Sequence, residues 1–219
     1  MQDNLEAQRT YTLAGSSGTG KTTLSEMILF NTGATNRLGS IDSGNTLLDY
    51  EPEETKKGGS IQPAYATYTW QKNKHFLVDN PGDPDFLGEF PFQLKAVDGA
   101  VYVLDAVGGV KPQDKKMWKD IRKFGLPTMV VVNKMDRERA DFDQCFNGLS
   151  EVLGAKPVLL YLPIGSESGF KGLVDILGNK ALFFQDDGQV EAGDIPEDLL
   201  EKVAELLETT IENIAESDE

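Results

Sequence analysis

The chain has 219 residues, a formal net charge of −15, 39% hydrophobic residues and one cysteine. This length suits one substantial α/β domain with a buried core and a smaller appendage. A single cysteine excludes an internal disulfide and suits a reducing compartment, and no apolar run reaches the ~20 residues that a membrane span requires. We therefore expect a cytoplasmic protein with no membrane partner.

The acidic charge is concentrated at the carboxyl end of the chain. Residues 186–219 carry 13 acidic side chains and one lysine, whereas the remainder is close to neutral. Acidic surfaces repel nucleic-acid phosphates, so we expect no direct binding to DNA. Because the body of the chain is nearly neutral, the bulk charge does not decide whether it contacts RNA.

The first predicted elements flank a glycine-rich run. Residues 9–14 indicate a strand and residues 21–31 a helix. Residues 34–60 show no sustained period, which predicts a functional or partly disordered segment. Ala64–Trp70 and residues 75–79 then predict two strands of an antiparallel hairpin.

Apolar runs alternate with helical stretches in the middle of the chain. The runs at 100–104 and 128–132 indicate buried parallel strands, and a further apolar run covers 158–164. Helices are expected around 87–97 and 113–123. This alternation predicts an α/β fold with a mostly parallel sheet, helices on both faces and one antiparallel edge strand.

The last segment has a different character. A hairpin is expected near 183–190, and a helix is expected to open at 194–196 with Pro196 at an early helical position. Five apolar residues then recur at helical spacing: Leu200, Val203, Leu207, Ile211 and Ile214. This stripe must fold back on the preceding segment, or the chain is a fragment.

The glycine-rich run GSSGTGKT at residues 15–22 matches G-x-x-x-x-G-K-[ST]. In such a loop backbone N–H groups surround nucleotide phosphates, and Gly15 and Gly20 allow their close approach. Lys21 can reach the β- and γ-phosphates, and the Thr22 hydroxyl suits a magnesium ligand. A plain Gly/Ser-rich turn is the alternative, which the strand before the run and the helix after it disfavour.

A second motif, DNPG at residues 79–82, has the form D-x-x-G and follows an apolar strand. The Asp79 carboxylate can hold magnesium through water, and the Gly82 N–H can meet a γ-phosphate. An ordinary turn is the alternative. The position of the motif after a strand and after the phosphate loop favours the magnesium and phosphate role.

A third motif, NKMD at residues 133–136, has the form N-K-x-D. Asp136 can accept two hydrogen bonds from the N1–H and the exocyclic amine of guanine, a pattern that adenine lacks. The stem of Lys134 would lie over the base, and a polar loop is the alternative. The residues expected to bind nucleotide are Gly15, Ser16, Ser17, Gly18, Thr19, Gly20, Lys21, Thr22, Thr23, Asn133, Lys134 and Asp136.

The sequence resembles translational GTPases, most closely elongation factor G and its elongation-factor-G-like relatives. Beyond the three motifs, the matching segments are KTTL at 21–24, ILFNTGAT at 28–35, GNT at 44–46, DYEPEETKKG at 49–58, LPIG at 162–165, FKG at 170–172 and DIPEDL at 194–199. The resemblance implies a P-loop NTPase three-layer sandwich carrying part of an inserted subdomain.

The resemblance also implies a domain organisation and a set of ligands. Residues 1–157 would form the GTPase domain with both switch regions, and residues 158–219 part of the insert with an acidic amphipathic helix. The chain would then be an N-terminal fragment of a longer multidomain protein. GTP or GDP and Mg²⁺ are the implied ligands, and the ribosome is the implied partner of the full-length protein.

Three departures from the family pattern concern GTP hydrolysis. The family's catalytic histidine corresponds to Asp83, whose charge opposes an anionic γ-phosphate unless the carboxyl is protonated or held away. The apolar pair that flanks the attacking water corresponds to Ser17 and Gly59. The switch threonine that holds magnesium corresponds to Ser60, which keeps the hydroxyl.

These departures leave two functions open. One is a ribosome-stimulated GTPase with attenuated hydrolysis, and the other is a slow or non-hydrolysing GTP/GDP sensor that regulates translation or another partner. The candidate catalytic residues are Asp83, Lys21 and Gly82. The candidate magnesium ligands are Thr22, Ser60 and Asp79.

Overall fold

A computed structural model describes residues 5–185 and 188–217. The chain divides into two compact units, Met1–Asn133 and Lys134–Glu219. Among the described residues, no helix combines the length and apolar character needed to cross a bilayer.

The first unit is built on one five-stranded sheet. Its elements are β1 (Gln8–Ala14), α1 (Lys21–Asn31), α2 (Pro52–Lys57), β2 (Ala64–Trp70), β3 (Asn73–Asp79), α3 (Phe90–Gln93), β4 (Gly99–Asp105), α4 (Asp114–Lys123) and β5 (Thr128–Asn133). The strand order is β2-β3-β1-β4-β5, and every pair is parallel except β2 with β3. The predicted parallel sheet with one antiparallel edge strand is confirmed.

Helices cover both faces of this sheet. Leu24 and Ile28 of α1 pack on a buried cluster that includes Val103 of β4. The preceding residue, Tyr102, points to the opposite face because side chains alternate along a strand. There its ring makes an edge-on contact with Trp118 of α4, with the ring centroids 5.6 Å apart. The first unit therefore has three layers.

The strand order places the sequence motifs at one edge of the sheet. β1 lies in the middle, paired in parallel with β3 and β4, and β5 continues the parallel set. The carboxyl ends of parallel strands meet at the same edge, where α/β sheets bind their ligands. The loops after β1 and β3, and the end of β5, therefore lie side by side.

The segment 34–60 contains a helix that the sequence prediction missed. α2 has proline at its first turn, and Glu51 and Glu54 form a capping box, each side chain accepting from the backbone N–H of the other. Gly58 ends the helix in the left-handed conformation. Both signals are present in the sequence, but a six-residue helix is too short to show a hydrophobic period.

The helix expected around 87–97 is shorter and begins earlier. A 3-10 helix, Pro84–Glu89, leads directly into α3, which ends at Gln93. Gly88 and Pro91 interrupt the segment, and neither residue supports the interior of a long α-helix. The helix expected around 113–123 is confirmed as α4.

The second unit contains a separate antiparallel sheet. Its elements are α5 (Phe142–Glu151), β6 (Tyr161–Ile164), β7 (Gly172–Asp175), β8 (Lys180–Phe184), β9 (Val190–Gly193) and α6 (Leu200–Ser217). The strands follow chain order, β6-β7-β8-β9, and the hairpin expected near 183–190 joins β8 to β9. The apolar run 158–164 contributes β6 to this sheet and adds no strand to the parallel sheet. After β6 a short connection reverses the chain direction, and β7 pairs with β6 in the antiparallel sense.

The terminal helix folds back on this sheet over part of its apolar stripe. Val203 is buried in a cluster with Leu162 and Val174 of the sheet, and the Thr210 hydroxyl donates to the Leu159 carbonyl at 3.2 Å. The expected fold-back is thus observed. Three stripe residues are nevertheless exposed: Leu200, Ile211 and Ile214.

Candidate nucleotide-binding site

Two glycines of the phosphate loop occupy places that no other residue fits. Gly15 has φ +139°, and a Cβ there would collide with the Val103 carbonyl oxygen of β4. Gly20 has φ +95°, and its Cβ would overlap the side-chain amide of Asn133. Since these conformations and approaches require glycine, the loop is held tightly against the sheet edge.

Polar side chains brace the same loop from within. Lys21 Nζ donates to the Ser16 carbonyl oxygen at 3.0 Å, and Asn133 Nδ2 donates to the Thr19 carbonyl oxygen at 2.9 Å. The Thr19 hydroxyl also donates to Ser16 O at 3.0 Å. The other predicted phosphate-binding residues are solvent-exposed: Ser17, Gly18 and Thr23.

Lys21 is a buried cation with acidic neighbours. Burial lowers the pKa of Lys21, and the charges of Asp79, Asp114 and Asp49 act in the opposite direction. Among the described residues, the hydrogen bond of the Lys21 ammonium goes to a neutral carbonyl, and a buried cation readily exchanges such a contact for an anionic one. Lys21 is therefore suited to receive phosphate oxygens.

Asp79 has the properties of a cation ligand. Only 1% of this residue is exposed, and among the described residues neither carboxylate oxygen has a hydrogen-bond partner. Burial raises the pKa of Asp79 to about 7; the Thr22 hydroxyl, which lies close by but is hydrogen-bonded to Ser60, and the Lys21 ammonium act in the opposite direction. An unpartnered buried carboxylate beside a hydroxyl fits a hard divalent cation such as Mg²⁺.

The hydroxyls of Thr22 and Ser60 lie together, with their oxygens 3.1 Å apart. The Ser60 hydroxyl donates to Asp49 Oδ1 at 2.6 Å, and burial raises the pKa of Asp49. The contact between Thr22 and Ser60 brings the end of the 34–60 segment onto the first turn of α1. The sequence prediction did not single out Asp49, because an isolated acid in an irregular segment carries no spacing signal.

Gly82 lies directly on the phosphate loop. A Cβ at this position would overlap Lys21 Nζ and the backbone of Ser16 and Ser17. The D-x-x-G turn is therefore packed against the residues expected to bind phosphate. The Gly82 Cα is therefore close to the Lys21 ammonium.

Asp83 is ion-paired with a residue of α2. Asp83 Oδ2 lies 2.7 Å from Lys57 Nζ, and Asp83 Oδ1 accepts the Asp85 backbone N–H at 3.1 Å. The hydrogen bond from Lys57 holds the pKa of Asp83 below its usual range. Asp83 is therefore a carboxylate at neutral pH, with its charge compensated by Lys57.

Asp114, at the start of α4, is a buried acid that the sequence prediction missed. Its Oδ1 accepts from the Ser16 hydroxyl at 2.5 Å and the Tyr102 hydroxyl at 2.8 Å. Its Oδ2 accepts the Lys111 backbone N–H at 2.7 Å. Asp114 thereby joins α4 to the phosphate loop, through a contact between residues 98 positions apart that no local pattern reveals.

The N-K-x-D motif spans the division between the two units. Asn133 belongs to the first unit and holds the phosphate loop. In the second unit, Lys134 has a left-handed backbone with φ +63°, and the Asp136 side chain is 72% exposed with Arg137 Nε 4.0 Å away. Recognition of guanine by Lys134 and Asp136 stays a prediction.

The central strand, the phosphate loop, the helix that begins at Lys21 and the D-x-x-G turn define a P-loop nucleotide-binding domain. The chain matches the family described as Elongation factor Tu GTP binding domain over residues 6–216. It therefore belongs to this family of GTP-binding domains, and the resemblance seen in the sequence is confirmed.

Two relatives are similar to this chain over nearly its whole length. Elongation factor G 1 of Geobacter sulfurreducens is 38% identical over 218 residues, which cover 98% of this chain and 32% of that protein. A crystal structure from Thermus thermophilus matches with a TM-score of 0.90 and 33% identity, covering 96% of this chain and 32% of the other. The chain thus spans about a third of the length of these relatives.

Proposed function

We propose that the chain is the GTP-binding domain of an elongation-factor-G-like translation factor, with Mg²⁺-dependent GTP binding and attenuated hydrolysis that the ribosome stimulates. The packing of Gly82 against Lys21 and the phosphate loop carries this proposal. It brings a γ-phosphate-sensing turn to the cation expected to bind that phosphate. The cytoplasm is the proposed location.

The proposed roles follow from the positions of the side chains. Lys21 exchanges the Ser16 carbonyl for β- and γ-phosphate oxygens, and the Gly82 N–H donates to the γ-phosphate. Thr22, Ser60 and Asp79 would hold magnesium, which supplies positive charge to the phosphates when bound. Loss of the γ-phosphate would release the segments 34–60 and 79–90.

Guanine recognition is assigned to the N-K-x-D motif. Asp136 would accept two hydrogen bonds from the base, and the stem of Lys134 would lie over it. The functional domain would extend over residues 1–157, with 158–219 as part of an inserted subdomain. Tighter binding of ATP than of GTP would contradict the assignment of Asp136.

A slow or non-hydrolysing GTP/GDP sensor is the second candidate. It is favoured by the carboxylate at position 83, which is engaged by Lys57 and cannot act as the family's histidine does. Ser17 is exposed and Gly59 has no side chain, so the apolar flanks of the attacking water are missing. Loss of a group that orients or stabilises this transition state costs on the order of 10³–10⁵ in rate.

GTP turnover with and without ribosomes separates the two functions. We expect slow turnover by the unmodified protein and a strong increase in Asp83→His, because imidazole can orient water and share positive charge with the transition state. Asp85→His, two residues away, is the matched control and should leave the rate unchanged. Full ribosome-stimulated turnover by the unmodified protein would exclude the sensor.

A further inference from the structure

Lys57, the last residue of α2, contacts the segment that follows Gly82. Its Nζ lies 2.7 Å from Asp83 Oδ2 and 3.9 Å from the centroid of the Phe86 ring. A carboxylate and an aromatic face thus hold one ammonium group, which combines an ion pair with a cation–π contact. The pair joins two segments separated by 26 positions in the chain.

The α2 side of this contact is fixed by a buried carboxylate. Glu54 Oε2 accepts the Glu51 N–H at 3.2 Å, and Oε1 accepts the N–H groups of Ile61 and Gln62 at 2.8 and 3.1 Å. Glu54 therefore connects the residue before α2 to the two residues at 61 and 62 that follow the helix. As a result the backbone that carries Lys57 is firmly placed.

The other side of the contact adjoins the phosphate loop. Asp83 caps the 3-10 helix through the Asp85 N–H and directly follows Gly82, which packs on Lys21. A lone carboxylate at this position would repel an anionic phosphate. The Lys57 ammonium compensates that charge at hydrogen-bond distance.

We infer that Lys57 is a positioning residue for GTP: it neutralises Asp83 and fastens α2 to the Asp83 segment, so that both segments close together on the γ-phosphate. The inference rests on the proposed function, because it requires the γ-phosphate to bind beside Gly82. GDP lacks that phosphate. Lys57 therefore favours GTP over GDP.

Binding of a non-hydrolysable GTP analogue and of GDP, measured by calorimetry with Mg²⁺, tests the inference. Lys57→Met should lower the affinity for the analogue about fivefold, which corresponds to the upper end of the energy range of exposed ion pairs. The affinity for GDP should stay within about twofold of that of the unmodified protein. Lys56→Met removes the same charge from the same helix and should change neither affinity. Lys57→Arg should retain the preference, and Asp83→Asn should recover most of the loss in the Lys57→Met background, because the uncompensated charge is removed.

Equal affinities for Lys57→Met and Lys56→Met would overturn the inference, and so would equal weakening of the analogue and of GDP. A loss in Lys57→Met that persists in full beside Asp83→Asn would show that Lys57 does not act through Asp83.

A double-mutant cycle on urea unfolding of the nucleotide-free protein tests the pair without ligand. The effects of Lys57→Met and Asp83→Asn should be non-additive, whereas Lys56→Met and Asp83→Asn should add. Additive effects at 57 and 83 would overturn the inference and leave the proposed function standing. An unmodified protein that binds no GTP analogue would overturn the proposed function together with Lys57's part in choosing GTP.

Discussion

The phosphate end and the switch end of the candidate site are built differently. At the phosphate end, Lys21, Asp79 and Asp114 are all buried. At the switch end, the paired side chains of Lys57 and Asp83 are 39% and 30% exposed. Charges at the first end are shielded from solvent, whereas water can replace the contacts at the second.

This difference fits the proposed division between a part that binds phosphate and a part that responds to the γ-phosphate. Buried charges are costly without partners and strong with them, so the phosphate end is prepared for a charged ligand before the ligand arrives. Exposed pairs contribute little to stability and can rearrange, which suits segments that respond to a γ-phosphate. Substitutions should therefore have large effects at the first end and small effects at the second.

The largest effect is expected from Asp79→Asn. In the metal-free, nucleotide-free protein, this change should raise the free energy of unfolding at pH 7.5 by on the order of 4 kcal/mol, because it removes an unpartnered buried carboxylate. The same change should weaken the Mg²⁺ dependence of GTP binding, because one of the three proposed magnesium ligands is lost. Urea unfolding in chelator and calorimetry with and without Mg²⁺ measure the two effects, with the exposed Asp85→Asn as control.

The pH dependence of this gain follows from the direction of the pKa shift. The pKa of Asp79 is about 7 in the folded protein and about 4 in an unfolded chain. The folded state therefore keeps a proton at Asp79 that the unfolded state releases, and the contribution of Asp79 to stability falls as the pH rises from about 4 to 7. The advantage of Asp79→Asn should vanish near pH 4. A constant advantage at all pH values would contradict this account.

Asp114→Asn should have the next largest effect. The amide replaces one carboxylate oxygen with a donor, so a buried hydroxyl or N–H loses its acceptor at a cost of about 1–3 kcal/mol. We expect lower stability in urea and weaker nucleotide binding, since Ser16 is held by this carboxylate. Asp120→Asn, at a half-buried position in the same helix, is the control. Equal stabilities for the two variants would contradict the role of Asp114 in holding the phosphate loop.

Two glycine substitutions complete the comparison. Gly82→Ala forces its Cβ into the loop backbone and should weaken nucleotide binding about 5- to 150-fold, in line with an overpacking cost of about 1–3 kcal/mol. Gly59→Ala meets no neighbouring atom and should change stability by no more than about 1 kcal/mol, in the stabilising direction. Titration with a fluorescent GDP and thermal unfolding give both quantities. A large loss in Gly59→Ala would break the distinction between the two ends.

Local features of the sequence predicted much of the first unit. The phosphate loop, the β2–β3 hairpin and the buried strands follow from glycine positions, turn length and apolar runs, all within a few residues. These features also located Lys21, Asp79 and Gly82. They suffice because a loop between a strand and a helix has few ways to fold.

Contacts between residues far apart in the sequence could not be predicted from such local features. Asp114 meets the phosphate loop from 98 positions away, and Lys57 meets Asp83 from 26. Neither residue stands out among its neighbours in sequence, and its partner is set by packing alone. The sheet to which the run 158–164 belongs could not be predicted either, because an apolar run indicates a buried strand but not its partner strands.

The buried carboxylate of Glu54 determines how the segment around α2 can open. Three amide N–H groups, those of Glu51, Ile61 and Gln62, depend on this one side chain. Once the side chain leaves its place, all three amides lose their acceptor together. Their protons should then exchange with solvent deuterium at a common rate, as one cooperative unit with an open and a closed state. A nucleotide would act on this segment by shifting a two-state equilibrium rather than by gradual loosening.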